Sequence, residues 1–311
     1  MDLRSAPAPV LVVADAGAQA SLGHIARCAA VVTALRARGV TCRCLAVGAD
    51  RPPHSALRWE CVAGADELPA AEGSLLLLDS YRLDAEAVRA QTGAAKLAVM
   101  HDLGPVPESA ELVLTTDPAL AGTRPHVVGG PDLACLGPMF WGLPDPRPVT
   151  GPVRSLLITT GGGDPGGHAA AIAAELRAAL PEPEITLVRG PHARLPELHG
   201  VRLLDRPRSL LKPLRAADLV IASAGNSLLE ALAVGTPTVA LVLAENQRAG
   251  AQALADRGAT QLAEPAPLAA VVAAAKALSA DTEARAQRVR AGRELVDGYG
   301  ALRVAYLLSE L

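Results

Sequence analysis

The chain predicts an α/β fold in two parallel-sheet domains, and three observations carry that prediction. Short apolar runs of strand length recur along it, each closing in small or polar residues, with helix-period segments between them. Its 311 residues exceed one ordinary α/β domain and suit two of about 150 each. Near the midpoint stands its densest run of structure breakers, Pro144-Asp145-Pro146-Arg147-Pro148 followed by Gly151-Pro152. We place the domain boundary there. Residues 1–147 form the first domain, 148–311 the second, and the breaker run is the expected hinge.

The first strand is 10–14, wholly apolar, and it leads into Asp15-Ala16-Gly17 and then Ser21-Leu22-Gly23-His24. Leu22, Ile25, Ala29 and Val32 step by three and four, which predicts a helix from Gly23 that Gly39 stops. Strands follow at 41–47, 75–78, 97–99 and 112–114. The last three end in Asp79-Ser80-Tyr81, His101-Asp102 and Thr115-Thr116, and in a parallel sheet such ends face one crevice where ligands bind. In the second half, a strand at 155–159 runs into Gly161-Gly162-Gly163-Asp164-Pro165-Gly166-Gly167 and a helix from about His168. Strands at 185–188, 201–204 and 219–222 come next. The last of these passes through Ser223-Ala224-Gly225-Asn226-Ser227 into a helix containing Glu230, then Gly235-Thr236-Pro237, a second apolar run and Glu245-Asn246-Gln247. A helix from Asp281, a break at Asp297-Gly298-Tyr299-Gly300 and a last short helix close the chain. Each half reads as a Rossmann-like domain.

Half of the residues are apolar, but one Phe, two Trp and three Tyr leave the core to Ala, Val and Leu. So few rings exclude base-stacking platforms. A net charge of −3 with both signs interspersed gives neither a nucleic-acid footprint nor a basic membrane patch. No apolar run reaches spanning length and no apolar leader opens the sequence. With five irregularly spaced cysteines, Cys28, Cys42, Cys44, Cys61 and Cys135, this predicts a cytoplasmic protein. Cys42-x-Cys44 lies in a strand pattern that puts both thiols on one face. Without a second Cys/His pair at a recognisable spacing, no metal site is predicted.

Strand, small-residue turn, helix, strand is an arrangement that holds phosphate. Small residues let backbone N–H groups approach an anion, and the helix N-terminus adds partial positive charge. Ser223, Gly225, Asn226 and Ser227 form such a turn, and Glu230 is placed to accept hydrogen bonds from ribose hydroxyls. Gly162 and Gly163 have the same cradling composition; the plain alternative is a tight strand-to-helix turn. No Lys-Ser/Thr follows them, so this is not an ATP-hydrolysing loop, and Asp15-Ala16-Gly17 is not a dinucleotide fingerprint. His24 opens a helix at the end of the first strand. A neutral imidazole there is a natural base for water, and the alternative is a histidine merely flanking a helix. Asn246 and Gln247 present amides that suit sugar hydroxyl or acetamido groups, or that cap a helix.

Taken together, Asp15…Gly23-His24-x-x-Arg27-Cys28, Leu78-Asp79-Ser80-Tyr81, Gly161-Gly162-Gly163-Asp164-Pro165, Ser223-Ala224-Gly225…Glu230, Gly235-x-Pro237, Glu245-Asn246-Gln247 and Asp297-Gly298-x-Gly300-x-x-Arg303 form an ordered set. In order and approximate spacing the set resembles the pseudaminic-acid pathway UDP-sugar hydrolases and their spore-coat-polysaccharide relatives. Those are similar in turn to GT-B glycosyltransferases that use UDP-GlcNAc. The resemblance implies a GT-B-like fold, two Rossmann-like domains facing each other across a cleft. It implies a nucleotide held by Gly162, Gly163, Ser223, Gly225, Asn226, Ser227 and Glu230, and a sugar lined by Asp15, Gly23, Arg27, Tyr81, Asn246 and Gln247. The implied reaction is hydrolysis of a UDP-sugar at the anomeric C–O bond with inversion, by water that His24 activates, without metal or cofactor, in bacterial glycan or natural-product biosynthesis. A glycosyltransferase in which His24 deprotonates an acceptor hydroxyl is the alternative, and a nucleotide-sugar-binding protein without turnover is a third. Ser21 stands where the family has glycine, and His101-Asp102 where it has Asp-Asp; both border the sugar pocket and leave the sugar open. The expected partner is a small nucleotide sugar, with neither nucleic acid nor membrane insertion, and the oligomeric state is left open.

Overall fold

The computed structural model describes residues 8–17, 22–51, 53, 55, 57–164 and 166–311. The chain forms two compact units: one takes the chain up to Pro138 together with Tyr299–Leu311, the other Met139–Gly298.

In the first unit the chain runs β1 (Val10–Asp15), α1 (Leu22–Ala37), β2 (Cys42–Val47), β3 (Glu60–Val62), β4 (Leu75–Asp79), α2 (Ala85–Thr92), β5 (Lys96–Met100), β6 (Leu112–Thr115) and β7 (Val127–Gly129). They form one parallel sheet in the order β3-β2-β1-β4-β5-β6-β7. β1 and β4, reading VLVVAD and LLLLD, are buried at every residue, as strands covered on both faces must be. Their register sets Ala14 beside Asp79, so two carboxylates, Asp15 and Asp79, close the two central strands. Leu11, Val13, Leu45, Leu76, Leu78 and Leu97 form the core beneath them.

The second unit runs β8 (Ser155–Thr159), α3 (His168–Ala179), β9 (Glu184–Arg189), β10 (Val201–Asp205), α4 (Leu211–Ala216), β11 (Leu219–Ser223), α5 (Asn226–Val234), β12 (Thr238–Leu241), α6 (Arg248–Asp256), β13 (Gln261–Ala263), α7 (Leu268–Ala280) and α8 (Thr282–Leu295). Its sheet is also parallel, ordered β10-β9-β8-β11-β12-β13. Leu156, Ile158, Ile172, Leu176, Ile221 and Val239 lie at its centre. The last helix, α9 (Gly300–Ser309), packs on α1 of the first unit.

The division differs from the sequence-based boundary at both places. The proline run lies inside the second unit, where it is strapped down: Arg147 binds the Ala217 carbonyl and Asp218, and Pro146 packs against Gly235. Proline stiffens a strap as well as a hinge, so composition alone does not separate the two. The sequence-based boundary places the last helix in the second domain. It joins the first because Ala301, Val304, Ala305 and Leu308 need an apolar partner, which α1 supplies. Three short strands, β3, β7 and β13, are not among those the sequence predicts. Each has three residues and is partly exposed, so none leaves an apolar run to read.

Candidate active site

In the first unit, a buried ion cluster forms where β4 meets the first turns of α1. His24, Arg27 and Cys28 stand at i, i+3 and i+4, so one helix face delivers all three to Asp79, which is 0% exposed. The Asp79 carboxylate accepts from His24 Nδ1 (2.6 Å), Arg27 Nε (2.6 Å) and Nη2 (2.5 Å), and Cys28 Sγ (3.4 Å). Burial alone would push its pKa up. The Arg27 charge and the hydrogen bonds from Arg27 and His24 outweigh that and hold it well below the usual carboxylate range. An ionised carboxylate can only accept, so a hydrogen lies on Nδ1 of His24, and in the neutral imidazole the lone pair is then on Nε2. The Tyr81 ring stands edge-on to the imidazole, with centroids 4.6 Å apart at 79°. The Tyr81 hydroxyl donates to Asp102 Oδ2 (2.8 Å), which Arg27 Nη1 also reaches. Burial would lower the Arg27 pKa, but Asp102 and Asp79 raise it further, so this guanidinium is a fixed cation.

Two residues expected on the sugar are turned inward. Asp15, 2% exposed, accepts from Ser80 Oγ (2.7 Å), the Tyr81 amide (2.8 Å) and Arg82 Nε (3.2 Å), so it shapes the loop after β4. A carboxylate buried at a strand end must find donors, and the loop supplies them. The Arg27 guanidinium is likewise occupied by Asp79 and Asp102. Gly23 lies in the first turn of α1, and Ser21 falls outside the described residues. His101, 7% exposed, donates from Nε2 to the Gly104 carbonyl (3.2 Å). The structure joins Asp79 and Asp102 to His24 and Arg27, whereas the sequence marks Asp79 by its motif and Asp102 by its place beside the sugar pocket and gives neither a role. For Asp79 the signal is the unbroken apolar run of β4 closing in aspartate, which forces a carboxylate into the interior.

In the second unit, β11 passes through Ser223 and Ala224 to Gly225, the N-cap of α5. The Ala224 amide still bonds Leu241, and the Gly225 carbonyl accepts from Leu228 (3.0 Å) and Leu229 (3.3 Å). Gly225 as N-cap offers no side chain and no acidic residue stands in the first turn, so among the described residues no carboxylate of the helix itself fills its positive end. The hydroxyl-bearing residues Ser223 and Ser227 are 5% and 7% exposed. Both adjoin Gly161, whose φ of +82° suits glycine; a Cβ there would lie 3.4 Å from Ser223 Oγ and 3.9 Å from Ser227 Oγ. Thr160 Oγ1, one residue earlier, is buried without a partner among the described residues.

The glycine loop holding Gly162 and Gly163 is built differently from the Ser223–Ser227 turn. Asp164 takes the N-terminus of α3, accepting from the His168 and Ala169 amides (3.0 Å each), so that anion position is filled from within. The Gly162 carbonyl accepts from the His192 amide (2.9 Å), and a Cβ on Gly190 would lie 2.7 Å from Gly162. The loop is a tight strand-to-helix turn between β8 and α3. Glu230, half-buried at the fifth position of α5, has no hydrogen bond or ion pair from the described residues, and burial pushes its pKa up to about 7. Gln247 uses Oε1 to accept from the Leu243 amide (3.0 Å), while its Nε2 faces Gly225, 3.5 Å from where a Cβ would stand. Its carbonyl therefore ties it to the loop. Asn246 sits half-buried in the same single helical turn, Glu245–Gln247.

All five cysteines are free; burial pushes the Cys42 and Cys44 thiols up to about 11. Among the described residues no cluster of His, Cys, Asp or Glu could hold a metal, and no helix is long and apolar enough to cross a membrane.

No family model matches the chain. Over 96% of its length it is similar to the spore coat polysaccharide biosynthesis protein SpsG of Bacillus subtilis (strain 168), with 25% identity and 97% of that protein covered. Among solved structures, MurG of Acinetobacter baumannii superposes with a TM-score of 0.63 at 14% identity, covering 98% of this chain and 100% of that one. The Streptomyces sp. SF2575 glycosyltransferase SsfS6, complexed with thymidine diphosphate, gives 0.63 at 15% identity, covering 98% and 100%. The fold is α/β and GT-B-like, and the likeness to a spore-coat polysaccharide protein agrees with the motif resemblance.

Proposed function

We propose that this chain transfers a glycosyl group from a nucleotide-sugar donor to an acceptor hydroxyl, with His24 as general base. The observation that carries the reading is the His24–Asp79 pair, which leaves the Nε2 lone pair on a fixed, nearly buried imidazole. Nε2 takes the hydroxyl proton as the acceptor oxygen forms its bond to the anomeric carbon. The bond from that carbon to the diphosphate breaks, and its electron pair leaves on the diphosphate oxygen. The imidazolium so formed faces ionised Asp79. The uncapped end of α5, with Ser223, Ser227 and Thr160, receives the diphosphate charge, and Glu230 takes the ribose. Preorganised donors of this kind contribute about 3–4 kcal/mol each to lowering a barrier, and a general base about 10²–10⁴-fold in rate.

Transfer, the second choice from sequence, takes precedence over hydrolysis because relatives of this fold include glycosyltransferases such as SsfS6. Hydrolysis is the same chemistry with water in place of the acceptor. The deciding experiment follows release of nucleoside diphosphate by phosphorus NMR from UDP-, dTDP- and CMP-sugars, first alone and then with added alcohols. Release only with an alcohol is the expected result. Steady release without one makes the protein a hydrolase. No release and no donor binding under either condition overturns both readings.

A further inference from the structure

The proline strap, left unused by the site above, walls a separate cavity of about 650 Å³ within the second unit. Arg154, Asp218 and Pro237 line it, the residues just before β8, β11 and β12. It therefore lies at the N-terminal ends of the strands, whereas the Ser223–Ser227 turn lies at their C-terminal ends. The volume is that of a site for a small organic ligand.

Its charge is unbalanced. Arg147, Arg154, Arg215 and Arg285 line it against Asp145 and Asp218. Arg147 pairs with Asp218. The exposed guanidinium groups of Arg154 and Arg215 have no hydrogen bond or ion pair among the described residues. Arg285 is the telling member, because it is 2% exposed and, among the described residues, bound only by neutral oxygens. It donates to the carbonyls of Gly151 (2.5 Å), Leu278 (2.7 Å) and Ser279 (2.8 Å) and to Thr282 Oγ1 (3.2 Å). Burial pulls its pKa down, with Asp218 and Asp281 opposing only at a distance. A buried cation without a contacting carboxylate, beside two unpaired guanidinium forks, is a setting that an anion would complete.

We propose that this cavity is a second ligand site, accepting a small phosphorylated molecule of sugar-phosphate size. Arg154 and Arg215 grip the phosphoryl oxygens, Arg285 supplies fixed positive charge behind them, and the proline and valine walls, Pro146, Val149 and Pro152 among them, hold the organic body. Val234 and Gly235 at the end of α5 also line the cavity, so the helix that begins at the donor turn ends at this wall.

Titration calorimetry with glucose 1-phosphate, at an ionic strength fixed by potassium chloride, tests the proposal. A saturable signal of one site per chain is expected, persisting with UDP present and weaker for inorganic phosphate. Arg154→Ala/Arg215→Ala should weaken it about tenfold or more while leaving the unliganded melting temperature unchanged. Arg154→Glu/Arg215→Glu should abolish it. No saturable signal, equal affinity for inorganic phosphate, or binding that survives both double variants would overturn the proposal. None of these readouts depends on turnover, so failure of the transferase reading leaves the test intact.

Discussion

Ionised and sealed from water, Asp79 determines which nitrogen of His24 carries its hydrogen, and that determines whether the imidazole can act as a base. Asp79→Asn replaces a pure acceptor with a group that also donates, and it leaves Arg27 with half of its charge partners. Turnover should fall about 10²–10⁴-fold, and stability by about 3–5 kcal/mol as a buried pair is broken; single-turnover kinetics and urea melts measure the two. The depressed Asp79 pKa gives stability that is complete above the ordinary carboxylate range and is lost as pH falls below that range toward the depressed folded value, and the variant should lack this acid-side loss. Glu230 has the opposite sign. Its folded pKa of about 7 lies above the ordinary 4.5, so ionising it costs stability as pH rises between those values. Glu230→Gln should therefore be more stable than the parent by about 1–3 kcal/mol at pH 8, with the difference shrinking toward zero at pH 4, and should bind donor more weakly. At this scale the sequence disclosed capacity but not use. The GHxxR spacing pointed to His24, whereas nothing local told whether Asp15 and Arg27 would hold a sugar or, as found, the chain itself.

Two strand-to-helix turns rich in small residues differ in whether a carboxylate fills the start of the helix. Asp164 fills the N-terminus of α3, while α5 begins with no carboxylate at all. Asp164→Ala should cost about 1 kcal/mol of stability, as a lost helix cap does, and leave donor affinity unchanged. Ser227→Ala should do the reverse, raising the donor dissociation constant with little change in melting temperature. Calorimetry and thermal melts on both variants separate the two turns. The long strands and the helix starts at His168 and Thr282 were legible because apolar runs and breakers are local signals. Whether a helix end holds a ligand or its own side chain was not, because composition is the same in either case.

Across the whole molecule, length and the central proline run announced two α/β bodies, yet the chain leaves the first at Pro138 and returns to it at Tyr299. A sequence boundary marks where the chain can bend, not which surface a later helix will need. Gly300 seats that return: a Cβ there would lie 2.6 Å from backbone atoms of Ala134. Gly300→Ala should destabilise the first unit by about 1–3 kcal/mol, as overpacking does, and differential scanning calorimetry should show its transition falling while that of the second unit holds. The same return has a consequence for how the protein is made. During synthesis the second unit is complete once Gly298 has cleared the ribosome, whereas the earlier-made first unit waits for Tyr299–Leu311 to cover α1. The half that carries His24 is thus the first to be translated and the last to mature, and a message cut short at residue 298 would yield a finished second unit tethered to an unfinished first.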